Sequence, residues 1–188
     1  MSSIAFFDFD ETLYKKDSLV EFTKFYKGKS AFYKGITALL PILLLFKLQL
    51  ITNEKAKKMF ILYFYKNEDY DLFKNKGREF ALNKIPKNLN KSIFNELAKH
   101  KINNHSVYVV TASFAEWIEP WCEKHNIKII STKLEIINNQ VTGGLSSKNC
   151  YGKEKVIRIL EKIDLTNFEK IYVYGSGKGD CEMLTLKK

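Results

Sequence analysis

Arginine, cysteine and proline are all scarce in this sequence. Its two arginines are Arg78 and Arg158, so the net charge of +10 comes almost entirely from lysines. These lysines are scattered among asparagines and form no recognisable nucleic-acid-binding module, and we therefore expect no nucleic-acid partner. The positive charge predicts instead a solvated surface with a modest attraction for anionic substrates.

The few cysteines also limit the class of protein. Cys122, Cys150 and Cys181 show none of the paired spacings of a zinc site. An odd number of cysteines without such pairs favours free thiols in a reducing compartment. The first apolar strand begins within a few residues of Met1 and leaves no room for a signal peptide before it, so we predict a cytoplasmic protein.

No apolar run looks long enough to cross a bilayer. The longest, residues 38–46, is well short of the roughly 20 residues that a spanning helix needs. The surrounding residues 30–51 predict a helix that bends near Pro41. We interpret it as a buried helix of an inserted subdomain, with peripheral membrane contact as the alternative, because apolar stripes more often belong to a core.

The order of predicted elements indicates an α/β protein with a helical insertion. An apolar strand starts at Ile4, helices follow throughout 15–85, and later strands alternate with helices. A chain of 188 residues can form one core and a small inserted subdomain. We predict an α/β core domain made of residues 1–14 and 86–188 and a helical cap domain made of residues 15–85.

Two aspartates follow the first strand. Asp8 and Asp10 are two residues apart, so an extended backbone points both carboxylates to the same side. Two negative charges at the C-terminal end of a strand are costly without a cation, and a divalent ion with oxygen ligands would relieve them. The alternative is that Asp10 or Thr12 only caps the following helix.

Polar residues also follow later strands. The second core strand ends in Thr111, Ala112 and Ser113. This strand end, before a helix predicted to open at Phe114, can bind phosphate oxygens, or its hydroxyls can merely cap the helix. Lys155 lies at the start of a helix after a glycine, and Asp180 ends a glycine-dense turn after the last strand. Each also has an ordinary structural interpretation, Lys155 as a surface lysine and Asp180 as a helix cap.

Together these segments resemble the haloacid dehalogenase (HAD) superfamily, in particular its phosphoserine-phosphatase-like subfamily IB. Four motifs occur in the family's order: Asp8-x-Asp10-x-Thr12-Leu13, Thr111-Ala112-Ser113, Gly152-x-x-Lys155 and Tyr174-Gly175-x-x-x-x-Asp180. Pro120-Trp121 and Asn149-Cys150-Tyr151-Gly152 are also similar to the branch that includes a bacterial phosphatidylglycerophosphate phosphatase. The resemblance implies an α/β fold with a Rossmann-like core, a parallel sheet and an inserted helical cap of the C1 type.

The resemblance further implies a phosphatase, that is, a phosphoric monoester hydrolase. Asp8 would be the nucleophile that forms an aspartyl-phosphate, and Asp10 would serve first as general acid and then as general base. Mg²⁺ would bind the Asp8 carboxylate, the Asp10 backbone carbonyl and Asp180. The phosphoryl group would be bound by Thr12, Thr111, Ala112 and Lys155.

Two departures from the family pattern affect these expectations. Ser176 stands where the family usually has an acidic metal ligand, so Asp180 would carry the metal alone or through water. The chain stops at Lys188, whereas relatives continue into another strand and helix, so we expect a lost edge strand or a shortened form. Two alternatives therefore stay open: a catalytically impaired relative that binds a phosphorylated ligand or a partner, and a phosphotransferase.

The expected partner is a small phosphorylated substrate. A phosphoserine-like substrate carries a carboxylate that an arginine would suit, and Arg78 of the predicted cap could serve, with Asp17 as a second candidate. The apolar cap favours instead a substrate with an apolar portion, such as a lipid phosphate. The sequence does not indicate an oligomeric state.

Overall fold

The computed structural model describes residues 2–188 and has a four-stranded parallel sheet flanked by helices. The strands lie in the order β3-β2-β1-β6, and their bounds are β1 Ser3–Phe7, β2 Ser106–Phe114, β3 Lys128–Thr132 and β6 Lys170–Tyr174. β4 (Leu134–Ile137) and β5 (Gln140–Leu145) form a separate antiparallel hairpin. The C-terminal ends of the parallel strands share one edge, which is where ligands bind in such sheets. The predicted α/β fold is confirmed.

Helices precede and connect the strands. Their bounds are α1 Ser18–Lys27, α2 Lys29–Lys47, α3 Asn53–Tyr65, α4 Tyr70–Asn83, α5 Lys91–Ile102, α6 Ala115–Lys124, α7 Lys153–Lys162 and α8 Cys181–Leu184. Three of the first four start at a capping side chain, because Asp17, Thr52 and Asp69 each accept a hydrogen bond from a backbone N–H of the first turn.

The start of α6 differs from the prediction. β2 continues to Phe114 through a register shift between Thr111 and Phe114, so the helix opens one residue later than predicted. The capping position is Phe114, and no side chain caps the helix there. The alternative that Thr111 or Ser113 is a plain helix cap is therefore wrong.

The sheet is buried on both faces. Side chains alternate along β1, so that Ala5 and Phe7 enter one apolar cluster while Ile4 and Phe6 enter the other. The first cluster also contains buried side chains of α1, α3 and α4, and Phe22 of α1 stacks on Trp117 of α6 at 4.5 Å between ring centroids. Helices α1–α4 occupy the segment predicted as the cap, but they share this cluster with the sheet, and the division into two domains stays a prediction.

Close backbone contact fixes α4 against α6. A Cβ atom on Gly77 would lie 2.1 Å from the backbone oxygen of Glu116, so only glycine fits at this crossing. Ser18 at the start of α1 also shares a hydrogen bond with Ser113 at the end of β2, at 2.8 Å between hydroxyl oxygens. Both contacts hold the helical segment at a defined position over the C-terminal edge of the sheet.

The apolar helix α2 is only partly buried, and the interpretation of the whole segment as a buried helix is wrong. Phe32 and Leu39 face the cluster, and a Cβ atom on Gly35 would lie 2.3 Å from the Phe64 ring. Beyond Leu43 every residue up to Leu50 is exposed. Contrary to the expectation from the short run, α2 is long and apolar enough to cross a membrane by length and composition alone, a criterion that soluble core helices also meet.

Candidate active site

The predicted catalytic residues lie around one cavity at the C-terminal edge of the sheet. Asp8 directly follows β1, and its backbone N–H donates to the carbonyl of Tyr174 at the end of β6, 2.8 Å away, so the two strand ends are held together. The cavity has a volume of about 320 Å³. Its lining includes Asp8, Asp10, Asp17, Lys57, Ala112, Ser113, Lys155 and Asp180.

Lys155 lies between two of the carboxylates. Its Nζ is 2.5 Å from Oδ1 of Asp8 and 2.6 Å from Oδ1 of Asp180. All three side chains are buried, with 2%, 7% and 3% exposure for Lys155, Asp8 and Asp180. Burial disfavours the lysine cation, but the two carboxylates outweigh it and raise the pKa of Lys155. Burial also raises the pKa of Asp8, against the opposing effect of Lys155. One ammonium group is therefore paired with two buried carboxylates.

The turn after β6 fixes Asp180. Its Oδ2 accepts hydrogen bonds from the backbone N–H groups of Ser176 at 3.1 Å and Gly177 at 2.9 Å. A Cβ atom on Gly175 would lie 2.6 Å from Cβ of Asp180, so the turn can approach the aspartate only with glycine there. Asp180 has no side-chain capping bond to α8, so its carboxylate is directed to the turn and to Lys155.

Ser176 has a different role from the acidic residue expected at its position. Its hydroxyl is 3.0 Å from the Thr12 hydroxyl and donates to the carbonyl of Glu11 at 3.2 Å. It is not among the residues that line the cavity. The serine therefore joins the last motif to the loop after β1 and offers no carboxylate to the cavity.

Asp10 lies in the same cavity but is bound to a different element. Its Oδ1 accepts a hydrogen bond from the backbone N–H of Ser18, the first residue of α1, at 2.7 Å. One oxygen of Asp10 thus accepts from a backbone donor of the first turn, but the N-cap residue of α1 is Asp17. Burial, with the nearby charge of Asp17 as the next cause, raises the pKa of Asp10 to about 8. Such a carboxyl group can hold a proton near neutral pH, as a general acid requires.

The predicted phosphate-binding residues are only partly at the cavity. Ala112 and Lys155 line it, whereas Thr12 and Thr111 are buried behind it. The Thr12 hydroxyl is paired with Ser176, and the Thr111 hydroxyl accepts from the backbone N–H of Ser113 at 3.0 Å. In this arrangement both threonines bind neighbouring groups of the loops next to the cavity.

Lys57 is a cavity residue that the sequence analysis missed. It comes from α3, and its Nζ donates to the carbonyl of Ala112 at 2.8 Å and to Oδ1 of Asn149 at 2.7 Å. Asn149 in turn donates to Oδ1 of Asn53 at 2.8 Å. Burial lowers the pKa of Lys57 to about 8, partly offset by the charge of Asp10. Both of its acceptors are uncharged, so within residues 2–188 the ammonium group of Lys57 forms no ion pair with a carboxylate.

The two candidate substrate residues are placed differently. Asp17 lines the cavity, and its Oδ1 accepts a hydrogen bond from the N–H of Val20 at 3.0 Å. Arg78 lies on an exposed face of α4 and is not among the lining residues. The cation that the helical segment contributes to the cavity is therefore Lys57, and not the predicted arginine.

The donor set around Lys155 is compatible with Mg²⁺. Within residues 2–188 no three His, Cys, Asp or Glu side chains cluster closely enough to form a metal centre by themselves. Mg²⁺, however, is usually bound through one or two carboxylates and keeps water and phosphate oxygens as its other ligands. Asp8 and Asp180 supply two carboxylates that share a single ammonium group, which leaves negative charge for such an ion to neutralise.

Comparison with known proteins gives matches over nearly the whole chain. A model of the haloacid dehalogenase-like hydrolases matches residues 5–185. The protein CicA of Caulobacter vibrioides is 29% identical over 182 residues, which is 96% of this chain and 81% of CicA.

Two solved structures illustrate the shared fold. A protein of unknown function from Bordetella pertussis Tohama I has a TM-score of 0.85 at 18% identity, covering 100% of this chain and 87% of the other. A phosphoserine phosphohydrolase-like protein from Francisella tularensis has a TM-score of 0.69 at 21% identity, and the match covers 97% of this chain and 82% of the other. At these identities the likeness shows the fold alone.

Proposed function

Since the chain belongs to the haloacid dehalogenase-like hydrolase family, we propose that it is a Mg²⁺-dependent phosphatase that hydrolyses a phosphomonoester through an aspartyl-phosphate on Asp8. The match confirms the family membership that the four motifs predicted, and hydrolases of this family generally use Mg²⁺. The fold shared with phosphoserine-phosphatase-like proteins supports the same enzyme class. The observation that carries the proposal is the buried Asp8 carboxylate, 2.5 Å from Lys155 at the end of the first strand.

The first half of the reaction would transfer the phosphoryl group to Asp8. An Asp8 oxygen attacks phosphorus, the bond from phosphorus to the ester oxygen breaks, and Asp10 donates its proton to the leaving alkoxide. The raised pKa of Asp10 suits this step, because the carboxyl group is partly protonated at neutral pH. Lys155 neutralises charge between the nucleophile and the phosphoryl oxygens.

The second half would release phosphate. Asp10, now a carboxylate, accepts a proton from water as that water attacks phosphorus, and the bond to Asp8 breaks. Asp8, Asp180 and the Asp10 backbone carbonyl would hold Mg²⁺, which when bound supplies further neutralisation of the phosphoryl charge. Asp10 recovers its proton and Asp8 its free carboxylate, so the cycle closes with inorganic phosphate as product.

Lys57 indicates how the substrate could be selected. Its ammonium group lies at the same cavity and is held only by neutral acceptors, so it is available to a second anionic group of the substrate. Of the two expected substrate types, the phosphoserine-like molecule carries such a group in its carboxylate. A small phosphorylated substrate and a cytoplasmic location stay predictions.

The test is hydrolysis of para-nitrophenyl phosphate with Mg²⁺ by the wild type and by Asp8→Asn. We expect Asp8→Asn to lower kcat by about 10³-fold or more, because the substitution removes the nucleophile. Asp164→Asn is a matched control, since Asp164 is an exposed aspartate that caps a short helix elsewhere. Loss of rate in Asp8→Asn but not in Asp164→Asn supports the proposal.

The second candidate is a catalytically impaired relative that binds a phosphorylated ligand. The hydroxyl of Ser176 favours this candidate, because it is hydrogen-bonded to Thr12 and is not an acidic metal ligand. The last motif therefore contributes one carboxylate, that of Asp180. Equal, background-level rates in wild type and Asp8→Asn would favour this candidate. A phosphotransferase would release nitrophenol faster than phosphate when an alcohol acceptor is added, and this ratio tests the third interpretation.

A further inference from the structure

The exposed end of α2, by which we mean residues 44–50 (the last turn of the helix and the three residues after Lys47), is an apolar surface that the proposed chemistry does not use. Its exposed large side chains are Leu44, Leu45, Phe46, Leu48 and Leu50. Soluble proteins seldom expose so many adjacent apolar side chains unless that surface contacts a membrane, a protein or a ligand. The preceding part of the helix is anchored by Phe32, Gly35 and Leu39, so the exposed end is held in a defined place.

The charges around this segment favour an anionic surface. No aspartate or glutamate occurs between Glu21 and Glu54. Lys29, Lys34 and Lys47 are exposed in this interval and form no ion pair within the described part of the chain. Lys47 lies among the exposed apolar side chains, and Lys29 and Lys34 lie further along the same helix. Apolar side chains combined with unpaired lysines on one helix are the means by which helices bind the interface of a bilayer with anionic lipids.

The ends of α2 exclude a simple membrane crossing. At its N-terminal side α1 packs on α6 through Phe22, which stacks on Trp117. At its C-terminal side α3 starts at Asn53, which accepts a hydrogen bond from Asn149 of the α/β part. Both ends of α2 are therefore bound to the same folded unit, and a bilayer can only contact the exposed end from outside.

The exposed end also adjoins the cavity. Leu50 and Asn53 are three residues apart, so their Cα atoms are separated by about 11 Å at most. Asn53 lines the catalytic cavity. The Leu50 end of this surface is therefore close in space to a residue that lines the cavity.

We propose that residues 44–50 are a membrane-docking surface that binds the interface of bilayers containing anionic lipids. The side chains of Leu44 and Leu48 enter the acyl boundary and Lys47 binds lipid headgroups. This inference goes beyond the proposed function, because docking does not require that Asp8 be a nucleophile.

The test is co-sedimentation of the full chain with vesicles of phosphatidylcholine, alone or with about one part in four phosphatidylglycerol. We expect binding to the anionic vesicles that weakens with added salt. The double variant Leu44→Ser, Leu48→Ser should bind at least about ten-fold less, because two apolar side chains leave the interface. The double variant Ile157→Ser, Leu160→Ser on α7 is the matched control, since those side chains are similarly exposed and should not affect binding.

Two further variants keep the test decisive. Lys47→Glu reverses one charge on the exposed surface and should weaken binding to anionic vesicles even if the serine variants fold poorly. Asp8→Asn should bind like the wild type, so failure of the proposed catalysis and failure of docking give different results.

Three results would overturn the docking surface. The wild type could fail to bind either vesicle, or the α2 double variant could bind as well as the α7 control. The third is self-association of the wild type, measured by light scattering and lost in the α2 variant, without vesicle binding. That result would assign residues 44–50 to contact between two copies of the chain.

Discussion

The strand-end site, made of Asp8, Asp10, Lys155 and Asp180, and the exposed end of α2 differ in how their side chains are satisfied. At the strand-end site each charged group has a polar partner within 2.7 Å and is largely enclosed by protein. At the exposed end of α2 the large apolar side chains are left to solvent. The difference teaches that the chain's own polar groups organise the first region, whereas the second presents apolar side chains that no other part of the described chain covers.

After Asp8→Asn, the largest effect should come from breaking the strand-end site at Lys155. We expect Lys155→Met to lower kcat/KM by about 10²- to 10³-fold, because the cation that neutralises the phosphoryl group is lost. Lys153→Met, at an exposed position of the same helix, should retain activity. Steady-state kinetics on an aryl phosphate is the measurement.

A control must separate catalysis from folding at this position. Removal of Lys155 leaves Asp8 and Asp180 buried without their ammonium partner, which by itself is destabilising. Lys155→Arg keeps the charge and should retain more activity than Lys155→Met when both are folded by circular dichroism. Equal activity of the methionine variant and the wild type would contradict the assigned role.

The next largest effect contrasts the two parts of α2. Phe32→Ala should lower the free energy of unfolding by about 3 kcal/mol, because it removes a buried aromatic ring. Leu44→Ala should change it by less than about 0.5 kcal/mol, because Leu44 is 57% exposed and Phe32 only 5%. Urea unfolding measures both values. A similar loss of the free energy of unfolding in the two variants would mean that Leu44 is packed against the rest of the protein.

The smallest effect should come from Lys57, which connects the helical segment with the strand-end site. For a substrate with a second anionic group we expect Lys57→Met to raise KM by about ten-fold, the usual scale of one charge-assisted hydrogen bond. Lys55→Met, two residues away on the same helix and exposed, is the matched control.

The pH dependence sharpens this prediction. The protonated form of Lys57 binds an anion, and its pKa of about 8 means that this form is lost as the pH rises through that value. The wild-type KM should therefore rise above about pH 8, and the rise should be absent in Lys57→Met. A rise of the same size in both proteins would show that another group titrates.

Much of the strand-end site could be predicted from sequence, for physical reasons. Asp8 directly follows β1 and Asp180 ends the turn after β6, and parallel strands bring their C-terminal ends to one edge whatever the intervening residues are. Lys57 could not be found in this way, because it lies among Lys55 and Lys58 on a helix and only tertiary packing selects one of the three.

The helix α2 shows the corresponding limit for apolar residues. Its composition predicts a helix, and α2 does cover Lys29–Lys47. Burial, however, depends on which other elements reach it, and α3 covers only the side that carries Gly35. The same limit applies to Ser176, since the motif indicates its position but not that its hydroxyl is paired with Thr12.

The central claim is that Asp8 carries the phosphoryl group, and chemical trapping tests it most directly. Turnover of an aryl phosphate with Mg²⁺ is quenched in acid, the protein is reduced with borohydride, and its peptides are analysed by mass spectrometry. Borohydride converts an aspartyl-phosphate to homoserine, so the account predicts homoserine in place of Asp8 in the active protein. An active protein in which Asp8 is unmodified, or in which homoserine replaces a different aspartate, would contradict it.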